Sequence, residues 1–382
     1  MASIHAHQKN EERDMKNMKI FKKLLALLTA GLMMILATGC GGSADTGNAG
    51  PAGGKRVGVS MPDKATQRWI QDGENVKQKL EALSYQVDLQ YAEGDVQAQI
   101  SQIENMITNG ANCLVVAAVD TGTLANVLAQ AKAQQIPVIA YDRLLMDTDG
   151  VSCYVTFDNK RVGNLMGKYV ENTLGLAEGK GPYNIEFFAG SPDDNNAHLV
   201  NEGAFEVLQP YLDKGQLVCP SGQTSFDSIC TLRWSQEIAQ RRMEDLIAGY
   251  YTDGKKLDAV LSPADGISHG VVAGLEGSGY QPGVNWPVIT GQDAEIMTVK
   301  NILSGKQSMS VFKDTRILAD KCIDMVQSLT EGKELEPSSA NPTDNHKILV
   351  PTYFCTPVTV DKTNLRKELV DSGYYTKEEL GL

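Results

Sequence analysis

Apolar runs alternate with amphipathic stretches along most of this chain, and the alternation is regular. Residues 55–61 read as a strand, 66–83 as an amphipathic helix, 85–91 as a strand and 95–108 as a helix with Asp95 as its N-cap. The unbroken apolar run 113–119 is the kind of strand that a parallel sheet covers on both faces. A helix over 123–134 and a strand over 136–142 follow. This strict β-α order, with right-handed crossovers, predicts a doubly wound α/β sheet.

After a strand at 153–157 the series restarts. A helix follows Asn159, then strands at 184–189, 216–220, 257–262 and 287–291 alternate with helices at 196–209, 235–248, 266–275 and 294–303. Two such units predict two Rossmann-like lobes whose sheets aim their carboxyl edges at a shared cleft, where open α/β sheets bind ligands. A strand at 308–313, a helix at 315–329, a polar segment at 332–346, a short strand near Ile348, a strand at 358–360 and a helix from Asn364 complete the chain. A helix placed after two finished units implies repeated crossing between lobes. The expected division is 55–157 with 314–345 in an N-terminal lobe and 158–313 with 346–382 in a C-terminal lobe. Several hinge strands allow such lobes to open and close as rigid bodies.

The first 39 residues differ in kind. Lys16, Lys19, Lys22 and Lys23 precede an apolar run from Leu24 to Ala37 that ends in Gly39-Cys40. A basic segment, a short apolar segment and small residues make an export signal; the run is shorter than the roughly 20 residues a membrane span needs. Residues 1–14 read as an upstream extension, with Met15 or Met18 as the more ordinary start. The Gly39-Cys40 end resembles a bacterial lipoprotein cleavage box, which implies lipid modification of Cys40, although Ala37 stands where the box usually has Leu. Residues 40–54, rich in Gly, Ala, Ser and Asn, then form a flexible tether. The leader carries six Lys or Arg against three Asp or Glu, so without it the net charge of −12 becomes −15. So acidic a body argues against nucleic acid or an anionic membrane surface as partner. No CxxC or Cys/His cluster is present, so no metal is expected. Cys219 and Cys230 are the pair open to a disulfide in an exported protein.

Polar chemistry concentrates where predicted strands end. The stretch 187–197 is the clearest case: a strand stops in a Gly190-Ser191-Pro192 turn and releases Asp193, Asp194, Asn195 and Asn196 onto a helix start. Arg68 and Trp69, Asp142 and Arg143, Arg233 and Trp234, Asp265, Gln292 and Asp293, and Lys313 hold comparable positions. Each alone has a plainer role, Asp142, Asp194 and Asp293 as helix caps and Arg68 as a surface cation. Together they supply acceptors, forked donors and flat rings, which suit a sugar: vicinal hydroxyls pair with carboxylates and guanidiniums, and the C–H faces lie against indoles.

The segments Gln67-Arg68-Trp69, 101–107, Ala140-Tyr141-Asp142-Arg143, Phe157-Asp158-Asn159, 189–197, 262–266, 290–294 and Val311-Phe312-Lys313-Asp314 closely resemble the multiple-sugar-binding and D-xylose-binding receptors among the type I periplasmic binding proteins. The resemblance covers about 56–330. It implies two lobes joined by three hinge segments that close over a monosaccharide, an aldopentose or aldohexose such as xylose, arabinose, glucose or galactose. It also implies a monomer that delivers sugar to an ABC permease and needs no cofactor. Carried over by motif, the ligand contacts are Arg68, Asp142, Arg143, Asn195, Asn196, Trp234, Asp265, Asp293 and Lys313, with Trp69 as a stacking ring. Asp194 is left outside this set because adjacent turn residues cannot all point at one ligand. A sugar-sensing receptor for a chemoreceptor or sensor kinase would use the same chemistry. A glycoside-processing enzyme fits less well, since neighbouring Arg and Lys keep carboxylates ionised. A dinucleotide-dependent oxidoreductase lacks its Gly-x-Gly-x-x-Gly turn after the first strand.

Overall fold

The computed structural model describes residues 55–252, 254–333, 335 and 342–382. The leader, Cys40 and the tether lie outside them. Within the described residues, β1 (Arg56–Met61), β2 (Gln86–Tyr91), β3 (Cys113–Val116), β4 (Val138–Tyr141) and β5 (Cys153–Phe157) belong to a first parallel sheet. A second parallel sheet is made by β6 (Tyr183–Phe187), β7 (Leu217–Val218), β8 (Ala259–Leu261) and β9 (Val288–Ile289), in the order β7-β6-β8-β9. β10 (Met309–Phe312) touches the edge of that sheet through a Gln292–Val311 bridge. The fold is α/β, as the alternation of apolar and amphipathic stretches predicts.

Each sheet is covered on both faces. On one side of the first sheet, Val57, Val59 and Val155 pack with Val76 and Leu80 of helix Gln67–Ala82 and with Leu318, Cys322 and Val326 of helix Thr315–Glu331. On the other side, Leu114 and Val116 meet Ile103, Met106 and Leu128. At about 1.5–3 kcal/mol for each fully buried large aliphatic side chain, these faces supply the main drive for folding. The second sheet repeats the scheme, with Ile185 and Phe187 against Val162, Met166, Val200 and Ala204, and Val260 against Met243, Ile267 and Val271. Gly163 and Gly203 let helices Asn159–Leu174 and Asn195–Asp213 meet backbone to backbone. A Cβ at Gly163 would strike the carbonyl of Val200, and one at Gly203 the carbonyl of Lys160. That contact fixes the helix whose first residues are Asn195 and Asn196.

Among the described residues the chain passes between the sheets three times. It leaves the first after Phe157, returns at Lys313 before helix Thr315–Glu331, and leaves again after Cys355. The last crossing corrects the expected boundary at residue 346. After β11 (Thr343–Asp344) and β12 (Leu349–Val350), strand β13 (Thr352–Cys355) pairs in parallel with β5 and closes the edge of the first sheet, giving the order β13-β5-β4-β3-β1-β2. Only β14 (Val358–Asp361), antiparallel to β10, lies on the second side. Because the apolar pattern of 349–355 looks alike on either sheet, pairing rather than hydropathy decides its place. A smaller difference concerns helix Asn195–Asp213, which runs one turn beyond Pro210 although the sequence suggests a stop at Gln209. A proline in the last turn removes a single donor, and its own carbonyl still accepts from the Lys214 N–H at 3.3 Å. No helix among the described residues is long and apolar enough to cross a membrane.

Candidate functional site

At the carboxyl end of β1 the chain turns through Asp63, whose carboxylate accepts from the Thr66 N–H at 2.9 Å, and enters helix Gln67–Ala82. Arg68 and Trp69 therefore stand in the first turn of that helix, and both are buried. The Arg68 guanidinium is shared by three carboxylates: Nε donates to Asp72 at 2.9 Å, Nη2 to Asp142 at 2.6 Å and Nη1 to Asp293 at 3.4 Å. A buried guanidinium with this many acidic partners stays charged; burial opposes the charge, but Asp142, Asp72 and Asp293 raise its pKa well above the ordinary value.

Asp142 follows β4 in the left-handed region, with φ 59°. Surrounding bonds hold it there. Its N–H donates to the Val155 carbonyl at 2.8 Å, and its carbonyl accepts from Tyr154 Oη at 2.8 Å, Thr156 Oγ1 at 2.9 Å and Asn196 Nδ2 at 2.9 Å. A non-glycine residue kept at such a φ by this many partners is strain retained by its setting. Burial pushes the Asp142 carboxyl up, but Arg68, Lys313 and Arg143 outweigh it and hold the group below the usual carboxylate range.

The second sheet contributes the facing wall. Asp194 caps helix Asn195–Asp213 by accepting from the Asn196 N–H at 2.9 Å. Its other oxygen accepts from Arg143 Nε at 2.9 Å and from Trp234 Nε1 at 3.2 Å. Arg233 and Trp234 both have positive φ, 56° and 54°, and the Trp234 indole lies where a Cβ on Gly190 would be. Asp293, at φ 96°, takes Lys313 Nζ at 3.0 Å. The Trp69 ring has the Arg68 and Arg143 guanidinium centres 4.8 Å and 5.1 Å from its centroid, so both cations engage its π-system.

These groups line one cavity that encloses about 600 Å³ of atom-free space, its open mouth included. Arg68, Trp69, Asp142, Arg143, Asn196, Trp234, Asp293 and Lys313 all form its wall. Asn195 and Asp265 do not. Asn195 opens the helix without lining the cavity, while Asp265 is fully buried behind the wall. Its carboxylate accepts from Ser310 Oγ at 2.9 Å, Gln307 Nε2 at 3.1 Å and the Glu295 N–H at 2.9 Å. Its neighbours Ala264 and Gly266 face the cavity instead. The motif placed Asp265 at a strand end correctly; the direction of its side chain was set by donors from β10 and from the loop before it, which no local pattern announces.

The wall also holds groups left out of the sequence-derived set: Asp194, Arg233, Gln292, Glu295, Asp63 and Thr66. Adjacent turn residues do differ, but it is Asp194 that lines the cavity and Asn195 that does not. Arg233 and Gln292 were visible as neighbours of chosen residues. Glu295 had no such signal; burial and then the charge of Asp293 push its carboxyl up to about 7. Cys219 and Cys230 are both free thiols. Cys219 follows β7, where its thiol meets Glu186 Oε2 at 3.6 Å, whereas the backbone of Cys230 bridges Ala189. Among the described residues no cluster of three or more His, Cys, Asp and Glu is arranged to hold a metal.

A family model described as a periplasmic binding protein domain matches residues 57–334. The chain belongs to the periplasmic binding protein family. It is 48% identical to the multiple sugar-binding periplasmic receptor ChvE of Rhizobium radiobacter, over 95% of this chain and 100% of the relative. Identity to the D-xylose-binding periplasmic protein of Escherichia coli is 33%, over 91% of this chain and 98% of the relative. An ABC transporter solute-binding protein from Clostridium phytofermentans with bound β-D-glucose superposes with a TM-score of 0.83 at 51% identity, covering 85% of this chain and all of the other. These relatives are receptors and binding proteins rather than enzymes. The two parallel sheets and three crossings of this periplasmic binding protein are those of the type I fold.

Proposed function

We propose that this chain captures a monosaccharide in the cavity between its two sheets and delivers it to an ABC permease. One observation carries the reading: a single cavity gathers Arg68, Asp142 and Arg143 from the first sheet and Asn196, Asp293 and Lys313 from the second, with two indoles beside them. Carboxylates fixed by cations are acceptors for hydroxyl donors, and the cations donate to hydroxyl oxygens. Charge-assisted bonds of about 1.5–3 kcal/mol each offset the hydration a sugar loses. Sugar names among relatives up to 48% identical support the same class, and an aldohexose or aldopentose such as glucose, xylose, arabinose or galactose is the expected ligand. The depressed pKa of Asp142 suits an acceptor and not a proton donor. In this reading the lobes are 55–157 with 314–355 and 158–313 with 356–382, residues 1–39 are the export signal, and the protein is a monomer anchored outside the cell membrane by lipid on Cys40.

A thermal-shift screen over common aldoses, followed by calorimetry, tests the assignment. At least one aldose is expected to raise the unfolding temperature with the logarithm of its concentration over Kd, once that ratio is well above one, and to be recovered chemically unchanged. No shift with any aldose, or sugar returned as a different compound, overturns it.

A further inference from the structure

Behind the cavity, out of reach of any ligand in it, lies a second carboxylate on Arg68. Asp72 sits one helical turn after Arg68 and is fully buried. One of its oxygens accepts from Arg68 Nε at 2.9 Å, and the other accepts from Tyr141 Oη at 2.6 Å. Tyr141 is likewise fully buried and immediately precedes Asp142. The end of β4 therefore grips Arg68 twice, through Asp142 at Nη2 and through Tyr141 and Asp72 at Nε. A guanidinium is planar, so fixing Nε and Nη2 fixes its plane and leaves Nη1 facing the cavity beside Asp293. An apolar residue at 72 would fill the same space without the desolvation cost of a buried carboxylate.

We propose that Asp72, backed by Tyr141, is a positioning residue of the ligand site: it sets the plane in which Arg68 meets the sugar without touching the sugar itself. The proposal rests on the monosaccharide reading above. Groups facing Asp72 come from every neighbouring element: Arg68 on its own helix, Tyr141 and Asp142 at β4, Tyr91 on β2, Cys322 on helix Thr315–Glu331 and Tyr374 near the C-terminus. Arg68 is the sole cation in that set. Burial pushes the Asp72 carboxyl up to about 6, although Arg68 and the Tyr141 hydrogen bond favour the carboxylate. Below that pH the group is neutral and holds Nε without charge assistance, so the competent plane of Arg68 is less populated. Apparent affinity falls with that population.

Calorimetry with whichever of D-glucose and D-xylose the unaltered chain binds more tightly, run from pH 5 to 8, tests this. Affinity of the unaltered chain is expected to weaken as pH falls through about 6. Asp72→Asn should bind roughly tenfold or more weakly at pH 7.5 and lack that pH step. Tyr141→Phe removes a bond that favours the carboxylate, so its step should move to higher pH while affinity at pH 8 stays within about threefold. Repeating the series in Glu295→Gln separates the titration of the cavity wall from that of Asp72. A folded Asp72→Asn with full affinity and an unchanged pH step overturns the proposal. Should that variant fail to fold, Tyr141→Phe decides, and a step that stays in place is equally fatal. If the unaltered chain binds neither sugar, the monosaccharide reading falls and this inference with it; binding without the variant effects sinks the inference alone.

Discussion

Asp142 and Asp265 are both fully buried carboxylates just past the end of a parallel strand, one on each sheet, yet their surroundings give them opposite characters. Around Asp142 stand Arg68, Arg143 and Lys313, and the group is held below its ordinary pKa. Around Asp265 the donors are neutral, from Ser310, Gln307 and a backbone N–H, and burial together with the charges of Glu295 and Asp293 drives its pKa well above the ordinary value. Burial alone therefore does not make an acceptor for a ligand. Cations placed against a carboxylate keep it ionised in a dry cavity, and for Asp142 those cations lie on the cavity wall.

The largest expected effect comes from removing the ionised member. Asp142→Asn keeps the shape but leaves the Arg68 guanidinium short of its nearest counter-charge. Losing one partner of a buried, hydrogen-bonded charge pair costs about 2–5 kcal/mol, so sugar affinity by calorimetry should drop between roughly 30-fold and several thousandfold. Stability should respond in a defined direction too. A depressed carboxylate contributes stability above its unfolded pKa of about 3.9 that is lost as pH falls through the folded value. The wild-type chain should thus lose more stability than the variant on acidification. Equal sugar affinity in the two would show that Asp142 is not the central acceptor.

An intermediate effect tests the wall contributed by the second sheet. Gly190→Ala puts a methyl group where the Trp234 indole lies. The ring must move, and Asp194 loses its bond from Trp234 Nε1. Overpacking of this kind costs about 1–3 kcal/mol, which if spent at the ring's position should weaken sugar binding by roughly 5- to 150-fold with little change in the first sheet. Tryptophan fluorescence reports the displacement directly. Unchanged fluorescence with unchanged affinity would mean that the indole is not held in place by Gly190.

Periodicity carries most of the fold because each strand and helix must bury its own apolar face, a local requirement. The two parallel sheets, the Asp95 cap and the restart after Phe157 are all legible this way. What stays hidden is set by partners far along the chain. The four residues 352–355 reveal their sheet only through pairing with β5. Glu295 enters the cavity because loops from both sheets converge there, and Asp265 leaves it because Ser310 and Gln307 draw its carboxylate inward. Residue type at a strand end marks where chemistry gathers; which way each side chain turns depends on donors some 30 to 45 residues away.

The smallest effect is expected at Asp265, and its sign is the sharpest check on the contrast with Asp142. A carboxyl whose folded pKa is raised contributes stability that is complete below the unfolded pKa, near 3.9, and disappears as pH rises through the folded value. Asp265→Asn cannot ionise, so it removes that dependence. At pH 5 the variant should lie within about 1 kcal/mol of the wild type, since the amide oxygen still accepts from Ser310 and the Glu295 N–H. Toward pH 8 it should gain on the wild type, the reverse of the relation expected for Asp142→Asn on acidification. Sugar affinity should stay within about threefold, because Asp265 does not line the cavity. Denaturant midpoints across this range decide the matter: a gap between variant and wild type that does not change with pH would mean that Asp265 is ionised in the folded chain, and the two buried carboxylates would then differ in position but not in charge.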